Sequence, residues 1–528
     1  MTTGNRLLLA TAFMFTLYAT HSAGAQSVSV LTWHNDNSRD GLNANETILK
    51  PSNVVSSSFG LLAFDSTDGK VDGQPLVVAN ANIGGNQVPA LYVVTEHDSV
   101  YAFNAVTGAS LWHVSLLLSG ETTSDNHNCT QITPEIGITA TPVIDQSMGP
   151  NGAIYVVNMS EDSSGQYHQR LNALDLTTGA QLFGGPTTIQ ATYPSTAEGN
   201  NTVTFDPGQY AERVGLLEFD GGIYTAWTSH CDGGSYTGWI IGYSASTLQK
   251  TSVLNVTPNG SEGAIWMSGA GLAATPTRIF LLDGNGTFDT DIDSEGLPSH
   301  RDFGNAFLQL DIGSTGRLQV VDYYATDTTV QQSNSDTDLG SGGALILPTL
   351  KNSSGLEYNL AVGAGKDGNI YLVNRNNMGR YHPNGGYIYQ VLTGALPHGA
   401  WSSPAYFNGS LYYGGKDDYI RQFSIVDAQL VPTSPGHTAT NFGYPGATPS
   451  ISANGTSDHI LWAVSPGTPS VLRAYNTADL TNEYYDSNQA GTRDNFGPAA
   501  HFVTPTIANG YVYVGTTTGV AVFGLLNP

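Results

Sequence analysis

"LYVVTEHDSVYAFNAVTGASLW", residues 91–112, decides the fold. Two apolar runs, Leu91–Thr95 and Val100–Asn104, flank a short polar turn. A second turn carrying Thr107 and Gly108 leads to a third run ending at Trp112. Alternating β-branched and aromatic residues punctuated by Gly and Asp read as an antiparallel meander. The same unit returns along the chain, as "IYVVN…RLNALDLTTGAQLF" (Ile154–Phe183), "IYTAW…WIIGYSASTLQKTSVL" (Ile223–Leu254) and, last, "YVYVGTTTGVAVFGLL" (Tyr511–Leu526). Each copy follows a further apolar run, from "GQPLVV" at Gly73 to "VTPTI" at Val503.

Eight such units are present, with no segment of helical period. A repeat of three or four short strands predicts the blades of an all-β, eight-bladed β-propeller of four-stranded antiparallel blades. The last unit ends after three strands, and "GLLAF" (Gly60–Phe64), which precedes the first blade, is predicted to supply its outer strand and close the ring.

The chain has 528 residues, 62 glycines, 27 tyrosines, 18 Lys plus Arg, and a formal net charge of −25. Such a surface is wrong for nucleic acid, whose phosphates need clustered cations. Residues 1–25 read as a signal peptide: Arg6, then the apolar "LLLATAFMFTLYA", then "AGA" (Ala23–Ala25) before Gln26. No later run is long enough to span a membrane. Residues 26–528 are therefore expected as a single propeller domain, exported to the periplasm or outside the cell and monomeric. Cys129 and Cys231, the only cysteines, are expected to pair in that compartment. There is no CxxCH haem motif, so electrons from any oxidation must leave to another molecule.

In a propeller the loops joining second to third strands share a face with the connections between blades. That face is predicted to gather both cysteines, Trp266, the loop Asn158–Arg170 and an acidic loop, residues 283–302, with six carboxylates.

On that face the residues resemble the quinoprotein alcohol dehydrogenases, propellers holding pyrroloquinoline quinone and Ca²⁺ above the channel. The likeness runs from "WHNDNSRDGLNANETILKPSNV" (Trp33–Val54) to the final blade, with "AIWMSGAG", "DGNG", "RDFGNAFLQL", "NMSED", "GKDGNIYLVNR" and "HGAWSSPAY" as its informative parts. It implies Trp266 as the floor under the quinone, Lys366 as a partner of cofactor oxygens, and Trp401 near the channel mouth. It implies Glu161, Asn285 and Asp302 as calcium ligands, with Asp302 also the general base. The implied activity is oxidation of a small alcohol or sugar. The family's adjacent cysteine pair is absent, "NCTQ" carrying one.

Other readings of the same face stand beside this one. A non-catalytic propeller binding a glycan, a peptide or an envelope protein needs only its loops. A carbohydrate-cleaving propeller would use paired acids such as Asp283 and Asp302. Neither zinc-hydrolase histidine spacing nor a GxSxG nucleophile is present. "DTDID" (Asp289–Asp293) imitates the start of an EF-hand loop, but Ser294 and His300 stand where Gly and Glu are required, so these acids are expected to be solvated.

Overall fold

The computed structural model describes Met1 and residues 27–196, 201–313, 316–432 and 436–527. The expected signal segment lies, apart from Met1, outside them. Among the described residues the strands form eight sheets of four or five strands and two small two-stranded hairpins. The eight sheets are the blades. Blade 1 runs Leu76–Ile83, Asn86–Val94, Ser99–Asn104 and Ser110–Ser115, antiparallel throughout. The opening stretch is thus the second and third strands of blade 1 and the start of its fourth. One short α-helix, Thr329–Asn334, lies between blades 4 and 5. No helix of the described residues is long and apolar enough to cross a membrane.

The ring closes as the sequence predicts. Phe59–Ser66 pairs antiparallel with Gly519–Leu525, giving the last blade its fourth strand. One expected loop is largely strand instead. Residues 158–162 and 167–170 continue the ladder between Ala153–Asp162 and Tyr167–Asp175, leaving only a tight turn between them. Gln169, buried among the rings of blade 3, receives the indole N–H of Trp227, which anchors that extension.

The recurring tyrosine of the second strands has a physical cause. Tyr92, Tyr155, Tyr412 and Tyr513 fill the spaces between blades and donate their hydroxyls to Leu176 O, Ala245 O, Thr477 O and Ala105 O of the next blade, at 2.7–2.9 Å. A buried phenol needs such a partner, and a turn carbonyl of the neighbouring blade is the one in reach. Tyr155→Phe strands the Ala245 carbonyl and should cost about 1–3 kcal/mol. Chemical denaturation of the purified variant measures this.

The segment before the first blade runs across the channel and bonds to the inner strand of every blade. Val30 pairs with Val77, and Leu31 O accepts from Ile144 N. Asn37 donates its side-chain amide to Glu218 O and accepts from Ala274 N, and Ser38 O accepts from Ile346 N. Asp40 O, Gly41 O and the Asn43 side chain serve blades 6, 7 and 8 through Tyr406 N, Ile451 N and Ile507 O. Arg39, wholly buried, holds the segment's shape by donating to Leu272 O, Thr32 Oγ1 and Trp33 O.

Candidate functional site

On the face predicted from the repeat, the connections between blades and two of the long loops enclose a cavity of about 270 Å³. Trp266, Lys366 and Trp401 line it together. The three residues after Trp266 turn sharply, with Met267, Ser268 and Gly269 at φ 41°, 53° and 81°. Two non-glycine residues in the left-handed region are costly, and such backbones concentrate at ligand sites. The turn is held by Ser268 Oγ donating to Ser341 O at 2.6 Å. Gly284, from "DGNG", passes so close that a Cβ there would lie 2.9 Å from Ala264 O and 3.6 Å from the Trp266 indole nitrogen.

Lys366 reaches the cavity from the turn between the second and third strands of blade 5. Its ammonium lies 2.7 Å from Asp336 Oδ1 and 2.8 Å from Asp338 Oδ2, and 6.0 Å from the centre of the Trp266 ring. Burial alone would lower the Lys366 pKa, but Asp338 and Asp336 outweigh it and hold the ammonium charged above its ordinary range. Burial pushes the Asp338 carboxyl up. Its other oxygen accepts the Asn285 N–H at 2.7 Å.

The remaining wall is aromatic and cationic. Arg213 sits over the Phe502 ring at 5.1 Å, while Lys416, which does not line the cavity, lies over Trp401 at 5.0 Å. Arg213 is buried, and among the described residues its Nη2 has no hydrogen-bond partner. On the opposite side Cys129 and Cys231 form the expected disulfide, tying the connection between blades 1 and 2 to the blade-3 loop. Beside it His127 and His230 stack at 3.9 Å. Burial lowers the His230 pKa to about 3, so this pair is neutral near pH 7. The disulfide closes a loop of sequence separation 102. The Cys129→Ser/Cys231→Ser variant should lose about 2–4 kcal/mol, read as a lowered melting midpoint.

Glu161, Asn285 and Asp302 do not line the cavity, and among the described residues no hydrogen bond or ion pair joins them to a common partner. Glu161 lies on the blade-2 ladder opposite Tyr167. Asn285 O accepts from Gly263 N. Asp302 sits in the acidic loop, which folds outward as its own hairpin through the pairs Phe288–Phe303 and Ile292–Pro298. Its Oδ1 accepts the Asn259 N–H at 2.8 Å. Among the described residues no group of three or more His, Cys, Asp or Glu side chains is placed to hold a metal ion. Asp283 is likewise a backbone anchor, accepting Ala306 N, and is absent from the cavity wall. Of the loop's other acids, Asp291 and Glu295 are exposed, while Asp289 and Asp293 bond His300 and Arg301 of the same loop.

Burial raises the Asp302 carboxyl to about 6. A raised carboxyl contributes stability that is fully present below about 4 and is lost as pH rises through about 6. Asp302→Asn keeps an acceptor for Asn259 and cannot ionise. Its melting midpoint should exceed the parent's at pH 8 and match it at pH 4, as parallel thermal melts would measure.

Sequence reasoning missed Arg213, Asp336, Asp338 and Phe502. Arg213, Trp401 and Phe502 occupy one register, three residues before Leu216, Pro404 and Pro505, at the entry to their inner strands. Aligning the repeats at that position would have found Arg213 and Phe502 together with Trp401. "SDTDLGS" (Ser335–Ser341) carries no comparable signal beyond its charge.

Neither a protein-family model nor a curated protein matches the sequence. Solved structures do match. A quinohemoprotein alcohol dehydrogenase, ADHIIG from Pseudomonas putida HK5, aligns over 94% of this chain and 80% of its own, with TM-score 0.60 and 14% identity. A quinohemoprotein alcohol dehydrogenase from Comamonas testosteroni aligns over 95% and 81%, with TM-score 0.60 and 14% identity. A europium-containing methanol dehydrogenase aligns over 94% and 98%, with TM-score 0.58 and 12% identity. The closed ring of eight blades is therefore the propeller fold of the quinoprotein alcohol dehydrogenases.

Proposed function

We propose that the chain is an exported quinoprotein-type oxidoreductase, taking a planar, polyanionic quinone of the pyrroloquinoline class into this cavity and oxidising a small alcohol or sugar. The observation that carries the reading is one cavity wall combining an indole face, Trp266, with two cations, Arg213 and Lys366, of which Arg213 keeps a free buried N–H. A free buried donor is costly, and an anionic ligand relieves it. The disulfide supports a location outside the cytoplasm.

When bound, the quinone supplies the two-electron acceptor. Trp266 offers the flat surface against which it lies, and Trp401 flanks the entrance. Arg213 and Lys366 neutralise its carboxylates and orient it. Asp338, raised by burial and steadied by Lys366 and the Asn285 N–H, takes the hydroxyl proton of the substrate. Phe502 on one side and the disulfide on the other limit the access of water.

Calcium is a different matter. Glu161, Asn285 and Asp302 do not line this cavity, so no step is assigned to it.

The test is titration of pyrroloquinoline quinone into the purified chain, followed by quenching of tryptophan fluorescence. Saturable quenching that weakens at least about tenfold in Trp266→Ala is expected. If no saturable quenching occurs, the cavity belongs to a binding scaffold. The aromatic rim formed by Trp401 and half-exposed Tyr444 (ring centres 6.4 Å apart) then points to a glycan.

A further inference from the structure

The cavity already holds a cation of its own. Among the described residues, the carboxylates lining it are those of Asp232, Asp336 and Asp338. Asp232 accepts the Tyr236 hydroxyl at 2.7 Å. Asp336 and Asp338 converge on one ammonium, Lys366 Nζ, at 2.7 and 2.8 Å. Asp338 already accepts one hydrogen bond at each oxygen, from Lys366 and from the Asn285 N–H. A calcium ion asks for roughly six to eight oxygens. No such set is free here, and the two carboxylates that could begin one are bound to a charge that cannot dissociate from the chain.

We propose that the Lys366 ammonium, clamped by Asp336 and Asp338 beside Trp266, is the resident cation of this cavity and takes the place of a divalent ion, so that ligand binding here is independent of calcium. A lysine supplies a point charge and three N–H donors, which suffice to attract and orient an anion. The inference rests on the quinone reading for the ligand, but the clamp itself does not depend on it. Lys366→Met replaces the ammonium with an uncharged thioether, which leaves Asp336 and Asp338 without their neutralising charge and open to a metal ion.

The experiment uses the full chain in two arms. In the first, pyrroloquinoline quinone is titrated into the parent protein in EGTA and in excess calcium chloride. Affinities equal to within about twofold are expected, and an increase of about tenfold or more with calcium overturns the proposal. In the second, melting curves and terbium luminescence, excited through tryptophan, are recorded for the parent and Lys366→Met. Calcium should raise the midpoint of the variant and not of the parent. Terbium emission should appear in Lys366→Met and vanish again in Lys366→Met/Asp338→Asn. Emission from the parent that disappears in Asp338→Asn overturns the proposal. If the quinone binds in neither buffer, the quinone reading falls and the metal arm alone decides on Lys366. If Lys366→Met does not fold, the parent's response to calcium and terbium, set against Asp338→Asn, decides it.

Discussion

A chain lacking Phe59–Ser66 should aggregate and lose its cooperative melting transition. The deleted strand is the outer strand of blade 8, paired along Gly519–Leu525. Without it, the N–H and C=O row of that partner faces solvent, a template for pairing with other chains. The loss continues inward. Phe59 is fully buried, with the rings of Tyr485, Trp462 and Phe523 at 5.0, 5.5 and 6.3 Å. Asp494, also fully buried, accepts the Leu61 N–H and the Tyr485 hydroxyl and pairs with Arg493, which in turn donates to Phe59 O. Phe59→Ala alone, which keeps the strand, should cost about 3–5 kcal/mol. Size-exclusion chromatography and thermal melts measure both variants. A monomeric deletion protein melting within a few degrees of the parent refutes the closure as a stabilising feature.

Asp338→Asn should lower turnover by about 10²–10⁴-fold, with a much smaller loss of quinone affinity because Asp336 still pairs with Lys366. The side chain keeps its shape and its acceptor for Asn285, and loses the ability to take a proton. Because burial raises this carboxyl, the parent's activity should climb with pH as the group ionises, and the variant's residual activity should lack that limb. Steady-state rates with an artificial electron acceptor across pH make the measurement. Asp302→Asn is the informative control, since the Asp302 carboxylate is engaged by Asn259 outside the cavity wall. Loss of turnover in Asp302→Asn with full turnover in Asp338→Asn would return the proton acceptor to the acidic loop.

The fold was legible because strand repeats report themselves: the spacing of "LYVVT"-like runs marks second strands, and a missing fourth strand at one end pairs with a surplus one at the other. That Trp266 and Trp401 line one candidate cavity was legible for a similar reason. Trp266 and Trp401 lie in connections whose face the repeat determines. The polar part of the site was not. Position along a loop says where a carboxylate starts, but hydrogen bonds made after folding decide where it points. Asn285 and Asp302 are separated by an inserted hairpin, and the Phe288–Phe303 pairing turns that length outward. Glu161 moved because its loop became ladder, with Gln169 and Trp227 favouring strand over turn. Asp338 escaped because a carboxylate's part here depends on a lysine twenty-eight residues further on, a relation no local pattern contains.

The segment that crosses the channel has a consequence for how such a ring can change. In an array whose units touch only their neighbours, one unit more or less disturbs only its two flanks. Here residues 30–43 carry a fixed series of contacts, each addressed to a different blade. A ninth blade would find no contact waiting for it, and a ring of seven would leave one unanswered. The blade number is thus written twice, in the repeats and in a short stretch that precedes them, and a duplication or loss must alter both at once to survive.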